Sequence, residues 1–422
     1  MVFKRAAAVM NTLLLRGVGS GVAVLFTVMI SRYLPTESAA NFFLLLNIST
    51  IAAICFRWGL DEVIIRRVAK LLPNEVEPIT RYLTLLSHRR VALWTIVCLL
   101  AALVAFPLFF SGASVPIEPL DLAIAFFAAS FVALTACSAR ILQGNGHTNL
   151  ATFLLNIVVP GLSLLALLVL IYIKEPNERD LIFLYACVAF FVYLVTIGCR
   201  YGNPMPLFTG GVRLQWRNID SSAANKLGLV VLAQQVVGWA ALLIVPYAYG
   251  DYAYKGFVVV QKVATLISLT MLAVNFTFSR RFASLYAIGD LRGLRSIVRY
   301  SLLAIIVASL GITLFLVLTR HWLFAYAQID AGMTRLLLIL LASQFFFSVS
   351  ALFSVVLSMA HDDNYLFVIQ AVINGTSALI LMIACQFLPL EVASAFLIVS
   401  YLLLSIALGL RVQHLIGTVR EN

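Results

Sequence analysis

An all-α polytopic membrane protein, with about twelve transmembrane helices divided six and six between two related halves, is the fold this sequence predicts. Three observations predict it. Hydrophobic residues fill 62% of the 422 positions and charged residues 11%, and the mean hydropathy is +1.02, outside the range of soluble domains. Apolar stretches long enough to cross a bilayer recur from end to end. The second half also repeats the first at an offset of 214: Ile30–Leu71 lies ungapped on Ile244–Leu285, pairing Tyr33 with Tyr247, Glu37 with Asp251, Asn47 with Gln261, and Arg66-Arg67 with Arg280-Arg281. Further on, Leu142–Asn149 meets Leu357–Asn364 at 215, so the register persists. Two-fold repeats in a hydrophobic chain point to a transporter, because a site served by two similar bundles can be opened to either side by rocking.

Taken in chain order, the apolar stretches place spans near 10–34, 39–58, 91–111, 119–142, 150–173 and 181–200, then 227–249, 253–278, 299–319, 334–358, 365–388 and 391–411. The first carries Arg16 within it, so it reads as a retained first helix and not a cleaved signal. Gly17 and Gly21 give it a GxxxG step, a pattern of close helix packing. Between the second and third spans, 60–90 is expected to be a cytoplasmic connection. In it Ile64, Val68 and Leu71 share one helical face, as suits a helix lying on the inner leaflet. Its counterpart, 279–297, holds Arg280, Arg281, Arg292 and Arg295, read as anchoring and orienting charges. The Gly- and Pro-rich stretch Gly202–Gly211 marks a linker. The expected organisation is thus a six-helix lobe at 1–200, a cytoplasmic linker at 201–225 and a second six-helix lobe at 226–422. Connections this short leave no room for a soluble catalytic domain, and no catalytic residue is nominated.

Lys and Arg placement predicts the orientation. With the N-terminus inside, the cytoplasmic segments hold 20 of the 29 Lys and Arg, the external loops 6 (Lys255 among them), and the membrane 3. The positive-inside rule then puts both termini in the cytoplasm. The basic balance follows from this topology; nucleic acid is not expected as a partner, since the bases are spread over loops with no aromatic-interleaved patch. The six cysteines show no CxxC spacing and read as packing residues, the five histidines stand singly at membrane edges, and His361-Asp362-Asp363 reads as a solvated turn. No metal or cofactor is expected. No GxxxxGK[ST] loop is present to support ATP hydrolysis.

Function is better sought in polar residues inside spans, each of which costs stability unless it faces a cavity or a partner. At about 100° per residue, Thr12, Arg16, Ser20, Thr27 and Ser31 share one arc of the first helix. Asn47, Thr50, Arg57 and Asp61 do so on the second, and Gln261, Thr265, Ser268, Asn275 and Ser279 on the eighth. Gln234 and Gln235 stand at mid-depth in the seventh. Local readings compete: Ser and Thr can bond their own helix, Arg57 can pair with Asp61, and Arg16 or Lys262 can snorkel. Polar faces at equivalent places in both halves favour a shared cavity. Its three charges, Arg16, Arg57 and Lys262, are all basic and are not duplicated, their repeat partners being Val230, Met271 and Ile48. Fixed cations in a low-dielectric cleft attract an anion, phosphate above all. The candidate substrate-binding set is therefore Arg16, Ser20, Asn47, Arg57, Gln234, Gln235, Gln261 and Lys262, with Asp61 the one nominee for coupling to H+ or Na+.

Ser31-Arg32-Tyr33-Leu34-Pro35-Thr36-Glu37, then Gly59-Leu60-Asp61 and Arg66-Arg67, resemble the start of polysaccharide flippases of the multidrug/oligosaccharidyl-lipid/polysaccharide exporter superfamily. Gly250-Asp251 and Phe282–Leu291 resemble the corresponding part of the second half, so the resemblance covers the whole chain. It departs at Ser38–Asn41, where a glycine is usual. The resemblance implies two lobes around a V-shaped cleft in a bacterial inner membrane. The cargo it implies is a lipid-linked oligosaccharide, an O-antigen or exopolysaccharide repeat unit, moved from the inner to the outer leaflet. Membrane lipid, a glycan polymerase and other assembly proteins would be its partners. A multidrug exporter of the same superfamily is the alternative, though a pocket for cations should prefer acidic and aromatic walls. A membrane-embedded glycan polymerase or glycosyltransferase would need catalytic carboxylates on larger external loops.

Overall fold

The computed structural model describes residues 2–68, 76–106, 117–201, 221–360 and 362–417. Of the linker predicted at 201–225, residues 202–220 lie outside the described residues, as do Leu71 and His361, and 221–225 already belong to a helix. Among those described, all regular structure is helical. In the first half α1 is Val2–Tyr33, α2 Thr36–Arg57, α3 Leu60–Val68, α4 Val76–Leu100, α5 Pro119–Gly144, α6 Thr148–Phe153, α7 Val159–Ile173 and α8 Glu178–Tyr201. In the second, α9 is Ser221–Ala264, α10 Ser268–Ala287, α11 Leu291–Ala327, α12 Thr334–Met359, α13 Asp363–Phe387 and α14 Leu390–Gly417. A π turn, Ala101–Ala105, extends α4, another, Leu154–Val158, joins α6 to α7, and a 3-10 turn, Thr265–Ile267, joins α9 to α10.

Eleven stretches among the described residues are long and apolar enough to cross a membrane. One of them, Leu227–Leu272, runs for 46 residues, about 69 Å at helical rise and twice the depth of a hydrocarbon core. It bends at Gly250 (φ 76, ψ 176), a conformation open to glycine and strained for other residues. Split there, it supplies two crossings and brings the total to twelve. The 214-residue offset sets Gly250 on Thr36, where α2 begins after Pro35. Both halves therefore turn at equivalent places.

The chain divides into two compact units. The N-terminal unit comprises Leu14–Phe26 and Tyr33–Val231; the C-terminal unit comprises Met1–Leu13, Thr27–Arg32 and Leu232–Asn422. The N-terminal unit is built on α5, whose buried face is made of small residues such as Ala125, Ala129, Ala133 and Ala136. Small side chains let neighbouring backbones approach closely where lipid offers no hydrophobic drive to association. Ala52, Ala53 and Phe56 of α2, Val91 of α4, and Tyr193 and Ile197 of α8 pack with that face.

Three expectations are corrected. The third span starts well before 91, because α4 is already helical from Val76. Its early polar residues are absorbed locally: Thr84 and Ser87 donate to the carbonyls of Thr80 and Leu83, and His88 bonds Thr84 and the Tyr193 hydroxyl. The apolar face of α3 does not lie on the inner leaflet. Leu60, Ile64 and Val68 are buried against Leu83 of α4 and Cys137 and Ile141 of α5. Nor are Gly17 and Gly21 the packing glycines of α1, since a Cβ at either would meet nothing within 4 Å. Gly19 is. A Cβ there would fall 2.2 Å from the carbonyl oxygen of Asn156. Pro160 has no N–H to bond that carbonyl in the α pattern, and the π turn at Leu154–Val158 is the local result.

Candidate polar sites in the two units

In the N-terminal unit the chemistry gathers where α2 gives way to α3. Helix α2 ends at Arg57, and Trp58 (φ 40) and Gly59 (φ 72) turn the chain through two left-handed residues. Trp58 is strained in that conformation, and its backbone is held against Gly228, where a Cβ would come within 3.0 Å. The turn places Asp61 in the first turn of α3, where the helix dipole favours a carboxylate. Arg57 donates one N–H to Asp61 Oδ2 at 3.1 Å and its Nε–H to the carbonyl of Ala53. The competing local reading of Arg57 is thus the one the geometry realises, and Asp61 serves as its counter-charge.

Beside this pair, Arg140 of α5 reaches Glu62 at 3.4 Å and Gln143 at 2.9 Å. It also stands close enough to Arg16 of α1 for the two guanidinium groups to repel. Arg16 and Ser20 are half-buried, as is Asn47. Two ion pairs, Arg57–Asp61 and Arg140–Glu62, thereby meet at adjacent residues of α3, and Arg16 adds a third cation beside Arg140. Arg140 was missed by the sequence reading, which counted it as a cytoplasmic base. A signal for it existed, because its repeat position, Val355, carries no charge. Other polar members of the predicted stripes are spent locally: Thr50 donates to the Leu46 carbonyl. At the opposite end of this unit the charges tie helix ends together, Arg179 binding Asp121 at 2.9 Å and also Glu118, and Lys174 binding Asp180 at 2.6 Å.

In the C-terminal unit, Gln234, Gln235 and Gln261 are half-exposed, and their side chains make no hydrogen bond among the described residues. Amides left open on membrane-crossing helices are available to a polar ligand. Lys262 is exposed, without an ion pair among the described residues. Thr265 and Ser268 turn back to the carbonyls of Lys262 and Thr265. Side chains of Thr12, Asn275 and Ser279 lie outside what the structure describes.

Lys255 is the principal correction. Counted as an external-loop base, it lies inside α9 five residues past the bend, only 5% exposed, with no partner among the described residues. Its repeat partner Asn41 is buried as well. A polar residue kept at the same buried place in both halves was the signal available in the sequence. A second polar group joins the helices of this unit: Asn374, wholly buried on α13, donates to the Ala233 carbonyl of α9 at 2.8 Å and accepts from Ser400 of α14. One turn before it, Gln370 donates to Ser354 of α12 at 3.2 Å. Side-chain bonds of this kind hold transmembrane helices in register.

No protein-family model and no curated protein sequence matches the chain. Solved structures do match it in fold. A multidrug resistance MATE family transporter of the MOP superfamily in an inward-facing conformation aligns with a TM-score of 0.75 at 13% identity, over 98% of this chain and 99% of that one. An outward-facing structure of a multidrug resistance MATE family transporter aligns at 0.69 and 12% identity, over 98% of this chain and 96% of that one. A MOP superfamily transporter from Pyrococcus furiosus, described as having a binding pocket of reverse polarity that suggests a different function, aligns at 0.69 and 14%, over 98% and 96%. These proteins are transporters, not enzymes, and the chain has their fold: an all-α, multi-pass membrane protein built of two lobes.

Proposed function

We propose that this chain is an alternating-access exporter whose cargo is an anionic amphiphile, an isoprenoid-pyrophosphate-linked oligosaccharide carried from the inner to the outer leaflet of a bacterial inner membrane. The observation that carries this reading is the set Arg16, Arg57 and Arg140, in which Arg57 and Arg140 pair with Asp61 and Glu62 while Arg16, beside Arg140, leaves one positive charge in excess at membrane-crossing helices. Guanidinium presents forked donors that suit phosphate oxygens. The open amides of Gln234, Gln235 and Gln261 are of the type that binds sugar hydroxyls, and Lys262 adds a further cation. In this reading the isoprenoid tail stays in lipid, no covalent step occurs, and an inside-negative potential favours outward movement of the charged headgroup. Asp61, the one nominee for coupling, is paired with Arg57, and no coupling residue is proposed.

A second reading is export of drug-like cations, favoured by the description of the solved structures above as multidrug transporters. Pocket charge separates the two, since the Pyrococcus furiosus transporter is described as having a pocket of reverse polarity within this fold. The test is reconstitution into vesicles, with lipid-linked oligosaccharide flipping and efflux of a cationic dye measured side by side. Flipping that falls at least tenfold in Arg16→Ala, with no dye efflux above empty vesicles, is the expected result. Dye efflux that survives Arg16→Ala, together with no flipping, would establish the second reading in its place.

A further inference from the structure

One exposed face of α11 carries an apolar stripe that ends in a pocket containing Arg32. Val307, Leu310, Leu314, Leu318 and Trp322 recur every three or four residues along one side of the helix and are 61, 62, 61, 69 and 83% exposed. In a membrane-crossing helix such an apolar stripe is what acyl chains touch. At its end lies a shallow pocket of about 470 Å³ lined by Arg32, His321, Trp322, Ala325 and Tyr326. No acidic residue belongs to that lining.

Two elements far apart in the chain build the pocket. Ser31 Oγ donates to the Ala327 carbonyl at 2.7 Å and pins the end of α1 to the end of α11. Arg32 is then laid over Tyr326, its guanidinium carbon 4.3 Å from the ring centroid and one N–H directed to the Tyr326 carbonyl at 3.4 Å. The arrangement fixes a cation at headgroup depth, beside the Trp and Tyr rings that favour that depth. All of these residues belong to the C-terminal unit.

We propose that this is a binding site for one anionic phospholipid, its acyl chain along Val307–Leu318, its phosphate on Arg32 and His321, and its glycerol region against Trp322. The apolar stripe leading into the pocket selects a lipid over free phosphate, because a free anion would gain nothing from it. The lining selects an anionic headgroup over a zwitterionic one, because among its five residues there is a cation to meet the choline of phosphatidylcholine and no carboxylate to receive it.

A protein retaining Trp322 alone, with Trp58, Trp94, Trp216 and Trp239 changed to Phe, reports the site through quenching by brominated lipid. Dibromo-phosphatidylglycerol should quench at about fivefold lower mole fraction than dibromo-phosphatidylcholine, the preference one cation near the surface confers on an anionic lipid. Arg32→Gln should abolish that difference, and inorganic phosphate should not relieve the quenching. Equal quenching by the two lipids overturns the proposal, and relief by phosphate overturns it in favour of a free-anion site. Should the four substitutions prevent folding, native mass spectrometry of the otherwise unaltered chain from mixed micelles supplies the same test. Phosphatidylglycerol adducts should then be retained and should drop about fivefold in Arg32→Gln; adducts unchanged by that substitution overturn the site.

Discussion

Arg57 and Asp61 tie the end of α2 to the start of α3, and the proposed function also places Arg57 in the binding set. Each is mostly buried and answers the other at 3.1 Å, so truncating either to Ala leaves a charge poorly compensated, at a cost of about 1–3 kcal/mol. The double variant removes both charges and should regain part of that stability. Flipping should not return with it, because the cation is gone. Thermal melts in detergent and flipping in vesicles, measured on all three proteins, test this; recovery of flipping in the double variant would remove Arg57 from the binding set. Lys255 calls for the opposite experiment. A buried ammonium without a partner among the described residues destabilises the fold, so Lys255→Met should melt at the same or a higher temperature while transport falls. A lower melting temperature with unchanged transport per molecule would make Lys255 structural.

Helix α1 owes its seating in the N-terminal unit to one glycine. With the Asn156 carbonyl 2.2 Å from where a Cβ would sit, and backbone unable to give way as a flexible side chain would, Gly19→Ala should cost about 1–3 kcal/mol. Gly17→Ala and Gly21→Ala, with open space around them, should be neutral or slightly stabilising through helix propensity. Melting temperatures of the three variants decide between Gly19 and the GxxxG pair as the packing determinant. On α13, Asn374→Ala should cost about 0.6–1.7 kcal/mol for the lost interhelical bonding. Its effect should be on stability, with transport per molecule retained, because Asn374 is enclosed by α9 and α14.

For the whole molecule the testable quantity is topology. The charge asymmetry predicts that both termini and the α10–α11 turn are cytoplasmic and that the Gly250 bend is outside. Single cysteines at Tyr252 and at Arg292, both exposed, in a background without the native six, should react with a membrane-impermeant maleimide from opposite sides: Tyr252→Cys in intact cells, Arg292→Cys only after permeabilisation. Labelling of both positions from one side would show that Leu227–Leu272 crosses once and would undo the twelve-crossing count.

Fold class was legible in the chain because it rests on sums over many residues. Hydropathy averaged along a span, and polar matches averaged along a 214-residue repeat, survive local exceptions, and the same register foretells the bend at Gly250 opposite Thr36. Arg16 and Arg57 were legible as isolated charges in spans, since charge in hydrocarbon is costly enough to stand out, and Asp61 as the acid one turn beyond Arg57. Their pairing was decided by tertiary structure. Whether Arg57 meets an anion or Asp61 depends on the two left-handed residues between α2 and α3, and whether Arg140 belongs to the group depends on α5 lying beside α3. Lys255 and Gly19 mark the same boundary. A hydropathy window cannot tell a lysine beside a span from one buried within it, and a GxxxG step cannot say which glycine meets a neighbouring backbone, because both are properties of contacts between helices far apart in sequence.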